Sequence, residues 1–157
     1  VGPVFSYHYG AGNRQNIHRL FWISMRITAA LSVLMFALAE IFDRTLVMIF
    51  ASKDAVLAEL MIGGFRIVAV SVLFSGINIF ASGFFTALNN GRISALISVL
   101  RALIFETGAL LLLPWLFGLN GVWWALPTAE SLETAVTVWL IARYRKVYGY
   151  GKAEERL

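Results

Sequence analysis

The sequence predicts an all-α, polytopic membrane protein with four transmembrane helices that form part of a six-helix lobe, and three observations lead to the helices. Apolar residues make up 59% of the chain and charged residues only 14%, whereas soluble domains carry about 25% charged residues. Four apolar runs are long enough to span a bilayer, which takes about 20 residues each. Basic residues gather between alternate runs, as in loops on one side of a membrane. This composition excludes a disordered chain and, with no Cys, a disulfide scaffold.

The first elements follow from local composition, in chain order. Residues 1–19 are predicted to be the end of a preceding helix and a cytoplasmic loop. Residues 20–42 form the first apolar run, span A. Residues 43–58 are predicted to be an outer loop with a short interfacial helix. Ser52 or Asp54 can cap a helix that runs from this loop into the next span.

The second half of the chain contains three more spans and a tail. Span B covers residues 59–89, span C residues 92–117 and span D residues 121–143, and residues 144–157 form a basic tail. The turn signal Asn89-Asn90-Gly91 separates B from C. Gly118-Leu119-Asn120 separates C from D in the same way.

The distribution of Lys and Arg predicts the orientation in the membrane. Eight basic residues lie before A, at the B–C turn including the first residue of C, or from the last residue of D onward: Arg14, Arg19, Arg92, Arg143, Arg145, Lys146, Lys152 and Arg156. Two, Arg44 and Lys53, lie in the A–B loop. Because cytoplasmic loops carry the excess of Lys and Arg, both chain ends and the B–C turn should be cytoplasmic.

Span B carries a stripe of small and polar residues along one line. Its members are Gly64, Ser71, Ser75, Asn78 and Ser82, spaced by seven, four, three and four residues. At 100° per residue this spacing places them on one face. Two interpretations remain open: the face lines a watery cavity, or it packs tightly against another helix.

Spans C and D carry ionisable residues deep inside apolar sequence. In span C, Ser94, Ser98 and Arg101 share one line. Glu106 lies about 140° around an α-helix from Arg101, so the two are not expected to pair within their own helix. In span D, polar residues recur at i, i+3, i+4 and i+7: Glu130, Glu133, Thr134 and Thr137.

The cost of these charges decides where they face. An ionised residue at a helix centre costs roughly 2.5–3.5 kcal/mol on the insertion scale, so the four deep ionisable residues would together cost on the order of 10 kcal/mol in lipid. They must therefore face protein or water. Glu130 and Glu133 share a face, and two close carboxylates out of bulk water favour a bound proton or cation. The alternative is an ion pair with Arg66 or Arg101 that only ties helices together.

These patterns give two sets of candidate site residues. The candidates for binding a cation or substrate are Glu133, Glu130, Glu106, Asn78 and Arg101, and the candidates for lining a cavity are Ser71, Ser75, Ser82 and Thr137. No metal site is expected, because His8 and His18 have no further ligand at a suitable spacing. The chain has no P-loop and no arrangement of nucleophile and base, so it is not predicted to be an enzyme. The basic tail is expected to meet anionic lipid, not nucleic acid.

Several segments resemble the multidrug and toxin extrusion (MATE) transporter family. Residues 3–14 (PVFSYHYGAGNR) resemble the stretch that follows the eighth helix in that family. Residues 50–54 (FASKD) resemble its outer loop before the tenth helix, and residues 83–88 (GFFTAL) the end of that helix. Residues 113–114 (LP) with 118–123 (GLNGVW) resemble the turn between its last two helices.

The resemblance implies that spans A–D are helices nine to twelve of a twelve-helix secondary antiporter. Such a protein expels cationic, often aromatic, drugs in exchange for protons or sodium by alternating access. It implies no cofactor beyond the coupling ion, and as partners the lipid bilayer, small cationic drugs and the transporter's remaining helices. The expected location is a bacterial-type plasma membrane. Family members often carry coupling carboxylates on the first and seventh helices, and some carry one inside the tenth, where span B has only Glu59 at its start.

Two other functions remain open at this point. One is a flippase for lipid-linked precursors or polysaccharides in the same superfamily, although three acidic and one basic deep residue favour cationic cargo. The other is a small four-helix membrane scaffold. Because the chain begins with Val and not Met, and the family motif of residues 3–14 begins almost at once, we expect it to be a piece of a longer protein.

Overall fold

The computed structural model describes residues 2–51 and 54–150, and in that part of the chain every regular element is a helix. The all-α prediction is therefore confirmed. The elements are α1 (Gly2–Gly10), α2 (Arg14–Ile41), α3 (Asp43–Ala51), α4 (Ala55–Ala69), α5 (Val72–Ala87), α6 (Gly91–Val99), a π-helical segment (Leu100–Glu106), α7 (Thr107–Phe117) and α8 (Leu119–Tyr148).

Two continuous helical stretches are long and apolar enough to cross a membrane. They are α2, with 28 residues, and the stretch Gly91–Phe117, with 27. The pair α4 and α5 qualifies as a third span if the two are taken together, with a bend of 41° between them. At 30 residues α8 is the longest helix, but its carboxyl and hydroxyl side chains lower its mean hydropathy. Four spans and their place in a lobe stay predictions.

The bend between α4 and α5 arises at serines of the span B stripe. Ser71 Oγ donates to the carbonyl of Val68 at 2.7 Å, and Ser75 Oγ donates to the carbonyl of Ser71 at 2.9 Å. Hydroxyls that bond back to their own helix loosen the regular backbone pattern and bend the helix. The two serines therefore act on the bend between α4 and α5, through hydrogen bonds to the backbone of their own segment.

Side chains cap three helices at the chain turns. Asn13 accepts from the Asn16 amide at the start of α2, and Asn90 accepts from the Ile93 amide at the start of α6. Asp54 accepts from two amides at the start of α4, which is one of the two caps that the sequence suggests. Ser52, the other, lies outside the described residues. A helix occurs in the loop 43–58, namely α3, and its interfacial position stays a prediction.

The largest apolar core lies where α1, α2 and α5 meet the end of α8. Phe5, Phe21, Phe84 and Tyr150 are buried there with their rings in contact. The Tyr150 hydroxyl donates to the carbonyl of Ile141 at 2.7 Å, so burial there costs it no hydrogen bond. Residues up to Tyr150 of the predicted tail are thus helical or packed, and residues 151–157 lie outside the described part.

Candidate functional site

Two carboxylates lie buried in the middle of α8. Glu130 is 3% exposed and Glu133 is 1% exposed. They are three residues apart and therefore lie close together on one helix face. That face is packed against α5 and the π-helical segment, so neither carboxylate faces outward, as the cost of exposing charge to lipid requires.

Asn78 of α5 forms a hydrogen bond with Glu130 of α8. Its Nδ2 donates to Glu130 Oε2 at 2.7 Å and lies 3.2 Å from the Glu130 carbonyl oxygen. The Thr134 hydroxyl lies 3.1 Å from Asn78 Oδ1 and 2.8 Å from the Glu130 carbonyl, so its single proton is shared between two acceptors. Oδ1 thus faces a donor and Nδ2 faces acceptors, which fixes the amide orientation. One oxygen of Glu130 is held in place by this network.

The other oxygen of Glu130 faces Arg101. Arg101 Nε lies 3.9 Å from Glu130 Oε1 and 3.8 Å from Glu106 Oε1. The guanidinium thus stands between two carboxylates, and we refer to Glu106, Arg101 and Glu130 as the Arg101 cluster. Neither distance is short enough for a hydrogen bond from Nε.

The expectation that Arg101 and Glu106 do not pair within their own helix is wrong. It assumed α-helical geometry, whereas Leu100–Glu106 is a π-helix. Hydrogen bonds in a π-helix run between residues five apart, so such residues lie about one turn from each other. The Thr107 hydroxyl bonds to the carbonyl of Ala102 across the same interval, at 2.8 Å. The local winding therefore brings the two charges to the same side.

Glu133 is unlike Glu130 in having no partner. Within residues 2–51 and 54–150, neither of its carboxylate oxygens has a hydrogen bond, and the same is true of the Thr137 hydroxyl one turn further along α8. A buried carboxylate without a partner is costly. It reduces that cost by taking up a proton or by binding a cation, and this is the chemistry that the position offers.

An open cleft of about 520 Å³ reaches this group. Its wall is formed by residues of α5, α6, the π-helical segment and α8: Asn78, Ile79, Ser82, Gly83, Ile97, Ser98, Arg101, Ala102 and Glu133. Ser82 Oγ lies 3.1 Å from the hydroxyl oxygens of both Ser94 and Ser98. The cleft thus has a polar wall of hydroxyls, one amide and two opposite charges, in an otherwise apolar bundle.

The structure brings most of the candidate residues together. Glu130, Glu133, Asn78, Arg101 and Ser82 meet at or beside the cleft, and Glu106 joins them through Arg101. The remaining three do not form the cleft wall. Ser71 and Ser75 bond to backbone at the bend, and Thr137 is fully buried.

Ser98 and the π-helical segment are the features that the candidate sets missed. Ser98 shares the line of Arg101 in span C, and that spacing was the available signal for it. No sequence pattern marks Leu100–Glu106 as π-helical. Its winding is visible only in the folded chain.

Arg66 does not reach the carboxylates of α8. Its Nε instead donates to Asp43 Oδ2 at the start of α3, and Glu40 lies 3.9 Å away. We refer to Glu40, Asp43 and Arg66 as the Arg66 cluster. Of the two ion pairs considered from the sequence, the one with Arg66 is wrong, and Arg101 approaches Glu130.

Asp43 is buried, and each of its two carboxylate oxygens accepts a hydrogen bond. It accepts from Arg66 and from the backbone amide of Arg44. Burial alone would raise the pKa of Asp43, but the hydrogen bonds from Arg66 and the Arg44 amide, with the charges of both arginines, lower that pKa below its ordinary value. The carboxylate is therefore held in its ionised form.

The described residues, 2–51 and 54–150, contain no group of three or more His, Cys, Asp or Glu side chains placed to bind a metal ion. The described residues of the cleft wall offer a carboxylate, an amide, hydroxyls and a guanidinium.

Comparison with known proteins places the chain among transport proteins. The family model MatE matches residues 1–107, so Glu130 and Glu133 lie beyond the matched part. A solved structure described as "protein A" is similar, with a TM-score of 0.83 and 30% sequence identity over 90% of this chain and 32% of that one. The chain thus spans about a third of the length of that protein. No curated protein matches.

Proposed function

Because the chain belongs to the MatE family, whose members are transporters, we propose that it is part of a secondary antiporter that exports cationic compounds in exchange for protons or sodium ions. Family membership favours transport over a membrane scaffold. The chain is one part of an integral, multi-pass membrane protein. The rest of the transporter supplies the second wall of the central cavity.

One observation carries the proposal: Glu133 is a buried carboxylate at the cleft wall, and no hydrogen bond to either of its oxygens occurs within the described residues. Such a group binds a proton or a cation but gains little from binding both, because either one neutralises its charge. Competition of this kind is what an antiporter needs, since the ion must leave when the cargo binds. Glu130 and Asn78 beside it supply further oxygen ligands.

The charge of the site favours cations over anionic lipid precursors. Among the described residues of the cleft wall, Arg101 is the one basic residue, and it stands between Glu106 and Glu130. A flippase for phosphate-bearing lipids would need basic groups free to hold the phosphates. The carboxylates here would repel them. We therefore place a flippase second.

The proposal includes an orientation and a location. Eight basic residues on one side against two on the other favour cytoplasmic chain ends. The proposed location is a bacterial-type plasma membrane, and the proposed cargo is small cationic drugs. The coupling ion, proton or sodium, is the only cofactor that this mechanism requires.

Transport by the full-length protein in liposomes tests the role of Glu133. The cargo is tetraphenylphosphonium, driven by an imposed pH or sodium gradient. Glu133→Gln keeps the size of the side chain but removes its charge, so we expect efflux to fall by at least about tenfold, the change that corresponds to 1.4 kcal/mol.

A matched control is Glu59→Gln, because Glu59 is exposed in the first half of α4 and is not among the residues of the cleft wall. We expect it to transport like the wild type. Efflux by Glu133→Gln at the wild-type rate, with the protein present at the same level, would contradict the proposal.

A further inference from the structure

Arg101 does not make the close, hydrogen-bonded contacts that are typical of a structural ion pair. Its Nε lies 3.8 Å from Glu106 and 3.9 Å from Glu130, beyond hydrogen-bond distance from both. About a third of its side chain is exposed, and it forms part of the cleft wall. The guanidinium is thus a cation already present at the site, attracted by two carboxylates and fixed by neither.

The two carboxylates differ in what else holds them. Glu130 is buried, and its Oε2 accepts from Asn78, so only Oε1 faces the guanidinium. Glu106 is more exposed and shares the π-helical segment with Arg101. Moving the guanidinium toward Glu106 therefore needs only a change of side-chain torsions. It would uncover Glu130 on the face next to Glu133.

The π-helical winding makes the second position possible. If Leu100–Glu106 were α-helical, Glu106 would lie about 140° around the helix from Arg101. The guanidinium would then have Glu130 as its one carboxylate partner in the cluster. A π-helical turn is rare and occurs frequently at functional sites. Here it supplies an alternative partner for Arg101.

We propose that Arg101 is a tethered counter-cation that occupies the place beside Glu130 when no cargo is bound, and that a cationic cargo displaces it toward Glu106. This inference rests on the proposed function and adds a residue that sets affinity. The cargo must replace an attraction that already exists, so the tether weakens cation binding. Cargo can be released again because Arg101 returns to Glu130.

Equilibrium binding of tetraphenylphosphonium to the full-length protein, purified in nanodiscs, tests the proposal. Arg101→Gln removes the competing cation, so the dissociation constant should fall, by about tenfold for a lost competition of 1.4 kcal/mol. Arg101→Lys replaces the tethered charge and should restore the weaker binding. A structural role for Arg101 predicts the opposite sign for Arg101→Gln, because losing the contact would loosen the site.

Glu106→Gln provides a second measurement with the reverse sign. It removes the alternative partner and so keeps Arg101 beside Glu130. The dissociation constant should therefore rise about fivefold, at the lower end of the 5–150-fold range that is typical of coupled sites. Arg66→Gln is the matched control, since it removes an arginine from the other ion-pair cluster. It should leave the dissociation constant unchanged.

The outcomes separate this proposal from the antiport proposal. If Glu133→Gln weakens binding but Arg101→Gln and Glu106→Gln leave it unchanged, or shift it in the same direction, the tethered-cation proposal is overturned and the cation site stands. If the wild type does not bind tetraphenylphosphonium, or Glu133→Gln binds it like the wild type, both fail. If Arg101→Gln does not fold, Glu106→Gln and Arg101→Lys decide the question: weaker binding by the first and wild-type binding by the second support the proposal, and any other result overturns it.

Discussion

Two arginines of this chain each stand between two carboxylates, and the two clusters differ in how tightly they are bound. In the Arg66 cluster, Arg66 donates directly to Asp43, with Glu40 at 3.9 Å. In the Arg101 cluster, the guanidinium stays 3.8 and 3.9 Å from its partners. The same kinds of group therefore form a direct hydrogen bond in the Arg66 cluster and stay beyond hydrogen-bond distance in the Arg101 cluster.

The difference shows what each cluster can do. Each oxygen of Asp43 accepts a hydrogen bond, because Oδ1 also accepts from the Arg44 amide at the start of α3, where the helix dipole favours a negative charge. This cluster joins α3 to α4. The Arg101 cluster borders a cleft and lies beside Glu133, whose carboxylate has no hydrogen bond from the residues that the structure describes. Unsatisfied charge is costly to keep, so its presence indicates a role in binding.

The largest effect on stability is expected from a substitution that pushes α8 away from its neighbours and so separates the residues of the Arg101 cluster. Gly121 of α8 packs against α7, and a Cβ there would overlap the backbone at Leu113 and Pro114. Backbone cannot move aside as a side chain can, so Gly121→Ala should destabilise the full-length protein by about 3 kcal/mol. Folded yield and thermal unfolding measure this.

Gly108→Ala is the matched control for that change. Gly108 lies in α7, and an added Cβ there would have no atom within 4 Å. Both substitutions raise helix propensity alike, so their difference isolates the overlap. Equal stability of the two variants would show that the close approach of α7 and α8 is not needed.

An intermediate effect on stability is expected from breaking the contact between Asp43 and Arg66 in the Arg66 cluster. Asp43→Asn removes the charge that Arg66 and the Arg44 amide stabilise, so the protein should unfold at a lower temperature at neutral pH. Because the pKa of Asp43 is lower in the folded state, its contribution is complete above the ordinary value of 3.8 and is lost as the pH falls through the lowered value.

Unfolding curves of wild type and Asp43→Asn at several pH values provide the check. The difference between the two should be constant from neutral pH down to the ordinary carboxyl range and then shrink. A difference that grows as the pH falls would contradict the assignment of Asp43 as a stabilising anion. Arg66→Gln should reproduce the loss at neutral pH.

The contrast also marks how far the sequence could predict the molecule. Composition and apolar run length predict the all-α class, and periodicity at 100° per residue places Asn78 and Glu130 on inward faces, where the structure joins them. The same periodicity fails for Arg101 and Glu106, because it assumes α-helical winding. It also groups Ser71 with Asn78, although a short hydroxyl side chain can bond to its own backbone and an amide reaches across to another helix.

The partners of the arginines were beyond prediction for a different reason. A helical wheel treats one helix at a time, whereas Arg66 and Asp43 are 23 residues apart on different helices. Their contact depends on how α3 turns back onto α4. Likewise, Arg101 approaches Glu130 only because α8 packs against the π-helical segment. Charges inside spans can be found from sequence, but their pairing is a property of the packing.

The smallest effect on stability, and the sharpest comparison, comes from removing the peripheral carboxylate of each cluster. Glu40 and Glu106 both lie 3.8–3.9 Å from an arginine Nε and are about a third exposed. Exposed ion pairs at such distances contribute about 0–1 kcal/mol, so Glu40→Gln and Glu106→Gln should unfold almost like the wild type. Their effects on tetraphenylphosphonium binding should nevertheless differ: Glu40→Gln leaves the dissociation constant unchanged, whereas Glu106→Gln raises it, because only Arg101 competes with a ligand. Equal effects on binding would mean that the open geometry of the Arg101 cluster has no functional consequence.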